Sequence, residues 1–355
     1  MNRAVALSRD KLFSSYNSPK GKSLSGQSSE NLAELSVALL EQQKTSWPQL
    51  IDGYAALNFV RTREIQCSGP VRHASSFGGF FVRLQFNPRR IVSSGAKVDA
   101  KSISERKCFL CVENLPAEQK GVLYREEFLV LCNPAPIFAQ HYTISNIKHL
   151  PQAIENYGAT LLSLAKDFSA RFIVFYNGPK CGASAPDHMH FQSSPSGVIP
   201  VERDAEDAAR RMLIKTVNDV AVLRLKSYGR EVVVLEGKDS ESLNALLLKF
   251  IDVMRRVTSR PSAESAEEPM LNILCSYHSG MWRVIIFPRR KHRPDVYFLE
   301  GEKKILISPA SVDIGGLVVT PIEKDFLSVD AALIESIFKE VSAERSVVDR
   351  IVEEL

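Results

Sequence analysis

Residues 181–192, CGASAPDHMHFQ, constrain this chain more than any other stretch. A run of small residues leads into two histidines and a glutamine at every second position. Side chains alternate between faces along an extended strand. His188, His190 and Gln192 would therefore share one face, and Met189 and Phe191 the other. Such a strand has an apolar anchor on one side and three polar groups in a row on the other. The plain alternative is an edge strand whose polar face meets water, so the surrounding sequence has to decide.

The 355 residues suffice for one large domain or two ordinary ones. With 45% hydrophobic and 24% charged residues, the composition is that of a globular protein. A net charge of +4 is small for this length and argues for neither nucleic acid nor membrane as a partner. No apolar run approaches the ~20 residues of a membrane helix, and residues 1–30 lack the apolar core of a signal peptide. That segment is rich in Ser, Lys and Gly and reads as a poorly ordered tail. Six cysteines do not make a disulfide scaffold, and the expected location is cytoplasmic.

Residues 31–63 carry helical spacing, and alternation from Phe80 to Phe86 marks a strand. The segment EEFLVLCNPAPIFAQHYTISN reads as two strands about a proline turn. PQAIENYGATLLSLAKDF reads as a helix starting at its proline, and RFIVFYNG as a buried strand. In the second half a helix is expected over 205–225, then a strand at REVVVLEG. SLNALLLKFIDVMRRV is an amphipathic helix, SRPSAESAEEP a polar linker, and two strands flank the His278-Ser279-Gly280 turn. From Asp325 onward the pattern is helical. The fold class is α+β, an antiparallel sheet with packed helices. Each half holds a helix followed by a strand hairpin, which suggests a diverged duplication.

Cys108-x-x-Cys111 is spaced to clasp one metal from a single turn, and Zn²⁺ would need two further ligands, typically His. His149 and His188 are the candidates. A redox pair or two buried thiols are the alternatives, although KCFLCVENLP lacks the strand-to-helix setting of a thioredoxin motif. Two basic stretches, FNPRRIVSSGAK with Arg89, Arg90 and Lys97, and FPRRKHRP with Arg289, Arg290, Lys291 and Arg293, could grip phosphates bidentately or simply face solvent.

CFLC, NPAPIF-x-x-H-x-TI-x-x-x-x-H-x-P, YNGPKCGAS and His188-x-His190-x-Gln192 occur in one order. Together they resemble the histidine-triad superfamily, in the branch of galactose-1-phosphate uridylyltransferase, diadenosine tetraphosphate phosphorylase and the GDP-hexose phosphorylases. The likeness is to an uncharacterised bacterial group of that branch. The motif-bearing part covers about residues 80–192, and the second half follows more loosely.

The resemblance implies two HIT-like halves, residues 31–200 with the catalytic motif and a zinc site, and residues 201–355 completing the substrate pocket. It implies that His190 attacks the α-phosphorus of a nucleotide-sugar or dinucleoside polyphosphate. The nucleotidyl group would then pass to phosphate or a sugar phosphate. Neutral imidazole suits that role near pH 7. Gly182, Ala183 and Ser184 would cradle phosphate oxygens with backbone N–H groups. The spacing from Ser184 to His188 is one residue longer than in the uridylyltransferase. Asn177 would contact phosphate, and Asn133 ribose or base. Gln192, standing where hydrolases have a third histidine, can donate a hydrogen bond but cannot shuttle a proton. That favours transfer between phosphates over hydrolysis. Structural zinc would be held by Cys108, Cys111, His149 and His188. The two arginine clusters are expected to converge on His190 from opposite sides. Partners are the nucleotide substrate and the acceptor, without nucleic acid or membrane, and a homodimer is compatible with the reading. The rival readings are a hydrolase of the same substrates and a nucleotide-binding protein without turnover.

Overall fold

A computed structural model describes residues 11–16, 31–68, 79–95, 98–258 and 267–355. In chain order the strands are β1 (Leu12–Tyr16), β2 (Arg61–Cys67), β3 (Phe80–Phe86), β4 (Gly121–Tyr124), β5 (Phe128–Cys132), β6 (Tyr142–Asn146), β7 (Phe172–Asn177), β8 (His190–Pro195), β9 (Arg211–Val217), β10 (Val220–Leu225), β11 (Val233–Gly237), β12 (Leu271–His278), β13 (Met281–Pro288) and β14 (Leu317–Thr320). The helices are α1 (Leu32–Ser46), α2 (Pro48–Ala55), α3 (Ile91–Ser94), α4 (Ala100–Glu105), α5 (Gly158–Asp167), α6 (Pro200–Glu206), α7 (Ser240–Thr258), α8 (Ser311–Ile314), α9 (Glu323–Ser328), α10 (Ala331–Val341) and α11 (Arg345–Glu353).

The main sheet runs β1-β4-β5-β6-β8-β7-β12-β13-β11-β10-β9 among the described residues. Every neighbouring pair in it is antiparallel except β1 with β4. The first half of the chain supplies the strands from β1 to β7 in that order, the second half those from β12 to β9. The two meet where β7 pairs with β12, Asn177 opposite Asn272 and Phe175 opposite Leu274. Side-chain alternation then divides the apolar residues into two layers. Val174, Tyr176, Phe191, Ile273 and Val284 face α1, α5, α7 and α11. Ile173, Phe175, Leu274 and Ile285 face the other way, toward a small sheet β14-β3-β2 and α10. Met189 and Phe191 join the helix-covered layer, and Phe191 packs against the rings of Phe128 and Tyr176. Gln192, opposite Phe175, therefore belongs to the face under the small sheet.

Several expectations need correction. Leu12–Tyr16 forms β1, stacking Tyr16 on Tyr124, so the expected tail is ordered there; its remainder lies outside the described residues. The expected helix over 31–63 stops before β2, which pairs with β3. The helix expected from Pro151 begins at Gly158. Over 205–225 the chain forms α6 and then the β9–β10 hairpin. Asn218 and Asp219, both at positive φ, supply its two-residue turn. Helix formers in AEDAARRML hid the β-branched alternation that follows. Of the polar linker at 259–269, residues 259–266 lie outside the described residues.

Phe191 ties the polar face of β8 to the core. Phe191→Ala should lower unfolding stability by about 3–5 kcal/mol, read as a shifted denaturant midpoint. A loss under 1 kcal/mol would mean the core anchor is misassigned.

Candidate active site

β8 is entered through His188, whose ring is turned out of the sheet. Its Nε2–H donates to the Asn146 carbonyl at 2.7 Å, which leaves the Nδ1 lone pair facing Cys108 Sγ at 3.3 Å and Cys111 Sγ at 3.6 Å. His149 Nδ1 approaches Cys111 Sγ at 3.1 Å. The four ligand atoms lie within 4.8 Å of one another. Tetrahedral zinc, with bonds near 2.0–2.3 Å, puts sulfur and nitrogen roughly 3.5 Å apart. The donor set therefore fits a metal, and a backbone carbonyl fixes the His188 tautomer from behind. Asp187, adjoining this group, is paired with Arg106 at 2.6 Å.

His190 follows two residues later and is 3% exposed. Its Nδ1–H donates to the His188 carbonyl at 2.8 Å, so the lone pair is on Nε2. Burial pushes this imidazole down to about 4, so it is neutral near pH 7. Gln152, which the sequence did not single out, holds the backbone here. Its Oε1 accepts from the His190 N–H at 2.8 Å, and its Nε2 donates to the carbonyls of His190 and Asn177 at 2.9 and 3.0 Å. One buried amide thus extends the β7–β8 ladder past its last backbone pair.

Gln192 lies on the same strand face and lines a cavity of about 70 Å³ together with Arg90, Asn177, Gly182, Ala183, Ser184, His292, Arg293 and Asp313. His190 is not itself among the lining residues. His141 orients the glutamine. It accepts the Ile137 N–H on Nδ1 at 3.2 Å, so its proton is on Nε2, 2.9 Å from Gln192 Oε1. Burial pushes His141 down to about 3, and the arrangement persists near neutrality. Gln192 Oε1 is therefore occupied, and its NH₂ is the group free to meet a ligand. Asn177 behaves alike. Its Oδ1 accepts from Asn272 Nδ2 at 3.0 Å and from the Ser311 N–H at 2.8 Å, leaving its NH₂ for the cavity. Gly182 has φ of +115°, and a Cβ there would lie 2.6 Å from the Ala310 Cβ, so the turn admits no side chain.

Both arginine clusters resolve differently from the expectation that they converge on His190. Arg90 lines the cavity and donates from Nη1 to the Ala135 carbonyl at 2.8 Å, whereas Arg89 is exposed and off the lining. Arg289 is buried and spent on structure. It donates to Asn272 Oδ1 and to the carbonyls of Pro309, Val341, Lys291 and His292. Arg290 lies on the surface, on Glu344 and the Glu340 and Lys339 carbonyls. From the same stretch, Lys291 pairs with Asp295 and Glu340, whereas Arg293, and His292 beside it, line the cavity. Asn133 closes its own turn, accepting the Ala135 N–H at 2.9 Å and donating to Thr143 Oγ1 at 3.3 Å, and lies off the lining. Lys97 lies outside the described residues.

Residues 204–354 match the family model described as GDPGP1-like, C-terminal domain, and residues 39–195 match a domain of unknown function, DUF4922. The fold is similar to that of yeast Ap4A phosphorylase Apa2, with a TM-score of 0.55 over 85% of this chain and 97% of that one. At 14% identity the likeness to Apa2 is one of fold. The same yeast enzyme in complex with AMP matches at a TM-score of 0.51 and 16% identity, over 86% of this chain and 96% of that one. No curated protein sequence matches the chain. Within this fold, the cavity is closed by the second half of this chain, through residues 292–319.

Gln152→Leu would strand the His190 N–H and the two carbonyls, at about 1–3 kcal/mol for each buried group. Its melting temperature should fall clearly, as should that of Arg289→Met, which strands five acceptors. If both variants melt within a degree or two of wild type, these two side chains do not hold the site.

Proposed function

We propose that the protein is a nucleotidyltransferase of the phosphorylase type, acting on a nucleotide-sugar or dinucleoside polyphosphate. The observation that carries this reading is the His190 tautomer. With Nδ1–H engaged by a carbonyl and the ring neutral, Nε2 has a lone pair available as a nucleophile.

In the first half-reaction Nε2 of His190 attacks the α-phosphorus. The bond to the bridging oxygen breaks, and the leaving phosphate departs with its electron pair. The Nδ1 proton stays on the imidazolium, held by the His188 carbonyl. In the second, an oxygen of the acceptor phosphate attacks the same phosphorus. The P–N bond breaks and returns its electrons to Nε2. The NH₂ groups of Gln192 and Asn177 and the guanidinium groups of Arg90 and Arg293 offer donors to the oxygens that gain charge. Ser184 and the turn at Gly182 and Ala183 contribute the cradle. Neither leaving group needs a proton from Gln192, which supports transfer over hydrolysis.

On this reading, residues 31–200 are the catalytic half and 201–355 the half that completes the pocket. Zinc at Cys108, Cys111, His149 and His188 has four protein ligands and no open position, so its part is structural. It would hold His188, whose carbonyl aims His190.

Incubation with α-³²P-labelled nucleotide should yield an acid-labile adduct on the wild type and none on His190→Ala, with nucleotide binding largely kept. The labelling rate at saturation should stay level from pH 8 down to about 5 and fall toward pH 4, because the depressed His190 loses its lone pair only there. A His190→Ala enzyme with near-normal turnover would refute the mechanism.

Elemental analysis of protein purified without chelators should find about one zinc per chain. Cys108→Ser should lower both metal content and melting temperature. A metal-free wild type of undiminished stability would remove zinc from the account.

A further inference from the structure

The mechanism leaves one cavity-lining imidazole unused. His292 follows β13 in the second half of the chain and lines the cavity together with Gln192, Asn177, Ser184, Arg90 and Arg293. Its backbone is held, since the His292 carbonyl accepts from Arg289 Nη2 at 3.1 Å. Among the described residues, neither ring nitrogen has a hydrogen-bond partner. Four of its polar neighbours are each tied on at least one side. Gln192 is held by His141, Asn177 by Asn272, Arg90 by the Ala135 carbonyl, and Arg293 donates to Ser308 Oγ at 2.9 Å. An imidazole with both nitrogens open thus lines the same cavity as two arginines, where an anion would bind.

We propose that His292 is the proton-carrying group of this pocket: it takes a proton from an oxygen of the phosphate bound against Arg90 and Arg293, and returns it when that phosphate leaves.

The titratable groups lining the cavity are Arg90, His292, Arg293 and Asp313, and Arg289 lies behind His292. Burial first, then Arg293 and Arg289, pushes the His292 ring down to about 4, so it enters the reaction neutral and able to accept. Asp313 is the other conceivable proton carrier. Its oxygens already accept the Val319 and Ala310 N–H groups, at 2.9 and 3.0 Å. Gln192 has no proton to exchange. A bound phosphate brings between one and about two negative charges near neutral pH, and such charge raises the proton affinity of an adjacent imidazole. The transfer balances. A monoanionic acceptor gives its proton to the His292 lone pair and becomes the dianion. The dianion attacks the nucleotidyl phosphorus, and the bond to His190 Nε2 breaks. In reverse, the His292 proton goes to the departing phosphate. This chemistry rests on the transfer reading above, but the binding behaviour it predicts does not.

The test is calorimetry of the full chain with inorganic phosphate at pH 8, where free phosphate is mainly the dianion and the bound pair must gain the shared proton from solution, in two buffers of different ionisation heat. Wild type should take up protons on binding, seen as a buffer-dependent heat. H292Q, which keeps a donor but cannot titrate, should bind within ~3-fold of wild type and lose that uptake. H292F should bind at least ~10-fold more weakly, the loss expected for one hydrogen bond to a charged group. Melting temperatures establish that both variants are folded. Discharge of the labelled adduct by phosphate should slow in H292Q, and so should its reverse. Equal proton uptake by wild type and H292Q would overturn the proposal and leave the His190 mechanism standing. Uptake that depends on His292 in a protein forming no adduct would support the proposal and refute the transfer reading.

Discussion

The site depends on the orientation of one residue, His188. Its ring and its backbone do separate jobs. The ring nitrogens join the cysteine pair to the Asn146 carbonyl, and the carbonyl receives the Nδ1–H of His190. A carbonyl can aim a neighbouring imidazole only if its own peptide cannot turn. Here the peptide is pinned from one side by the Cys108, Cys111 and His149 group and from the other by its own Met189 N–H, which donates to the Leu150 carbonyl at 2.6 Å. Unpinning either side would let the His190 ring rotate, and with it the lone pair. Structure and chemistry are therefore coupled through a single peptide unit.

The cavity is built by spending acceptors elsewhere. Amide oxygens on Gln192 and Asn177 are satisfied by His141, Asn272 and the Ser311 N–H, so both amides can offer only N–H groups. Two guanidinium groups add fixed positive charge. A phosphoryl oxygen meets donors already oriented before it arrives, which is what stabilises charge without reorganisation. Asp313 is the exception. Burial pushes its carboxyl up to about 6, while two backbone N–H groups hold it in place, so it braces the turn beside the donors.

The arginine stretch of the second half shows how far residue type alone can mislead. In FPRRKHRP, charge density announces an anion site, and one is nearby. Yet Arg289 is consumed in bonds to Asn272 and four carbonyls, and Arg290 turns to Glu344, while His292 and Arg293 reach the cavity. Along an irregular segment after a strand, side-chain direction follows no period. Which of five polar neighbours faces inward is decided by what each meets. Gln152 and His141 were hidden for a related reason. A buried amide and a histidine look ordinary in sequence, and their importance lies in the partners that the fold brings to them.

The sequence by itself determined the strands around the two histidines, the apolar anchors at Met189 and Phe191, and the two pairs Cys108–Cys111 and His188–His190. These rest on period-two alternation and short spacings, which are local properties of a chain. It also carried the ordered motifs on which the resemblance to the histidine-triad superfamily rests. The tertiary structure alone decided that Tyr16 stacks on Tyr124, that residues 211–225 pair as a hairpin, and that β7 meets β12 to join the halves. It alone closed the cavity with residues more than a hundred positions from His190. Those outcomes depend on long-range pairing and on the burial of specific donors and acceptors, and neither leaves a period in the sequence.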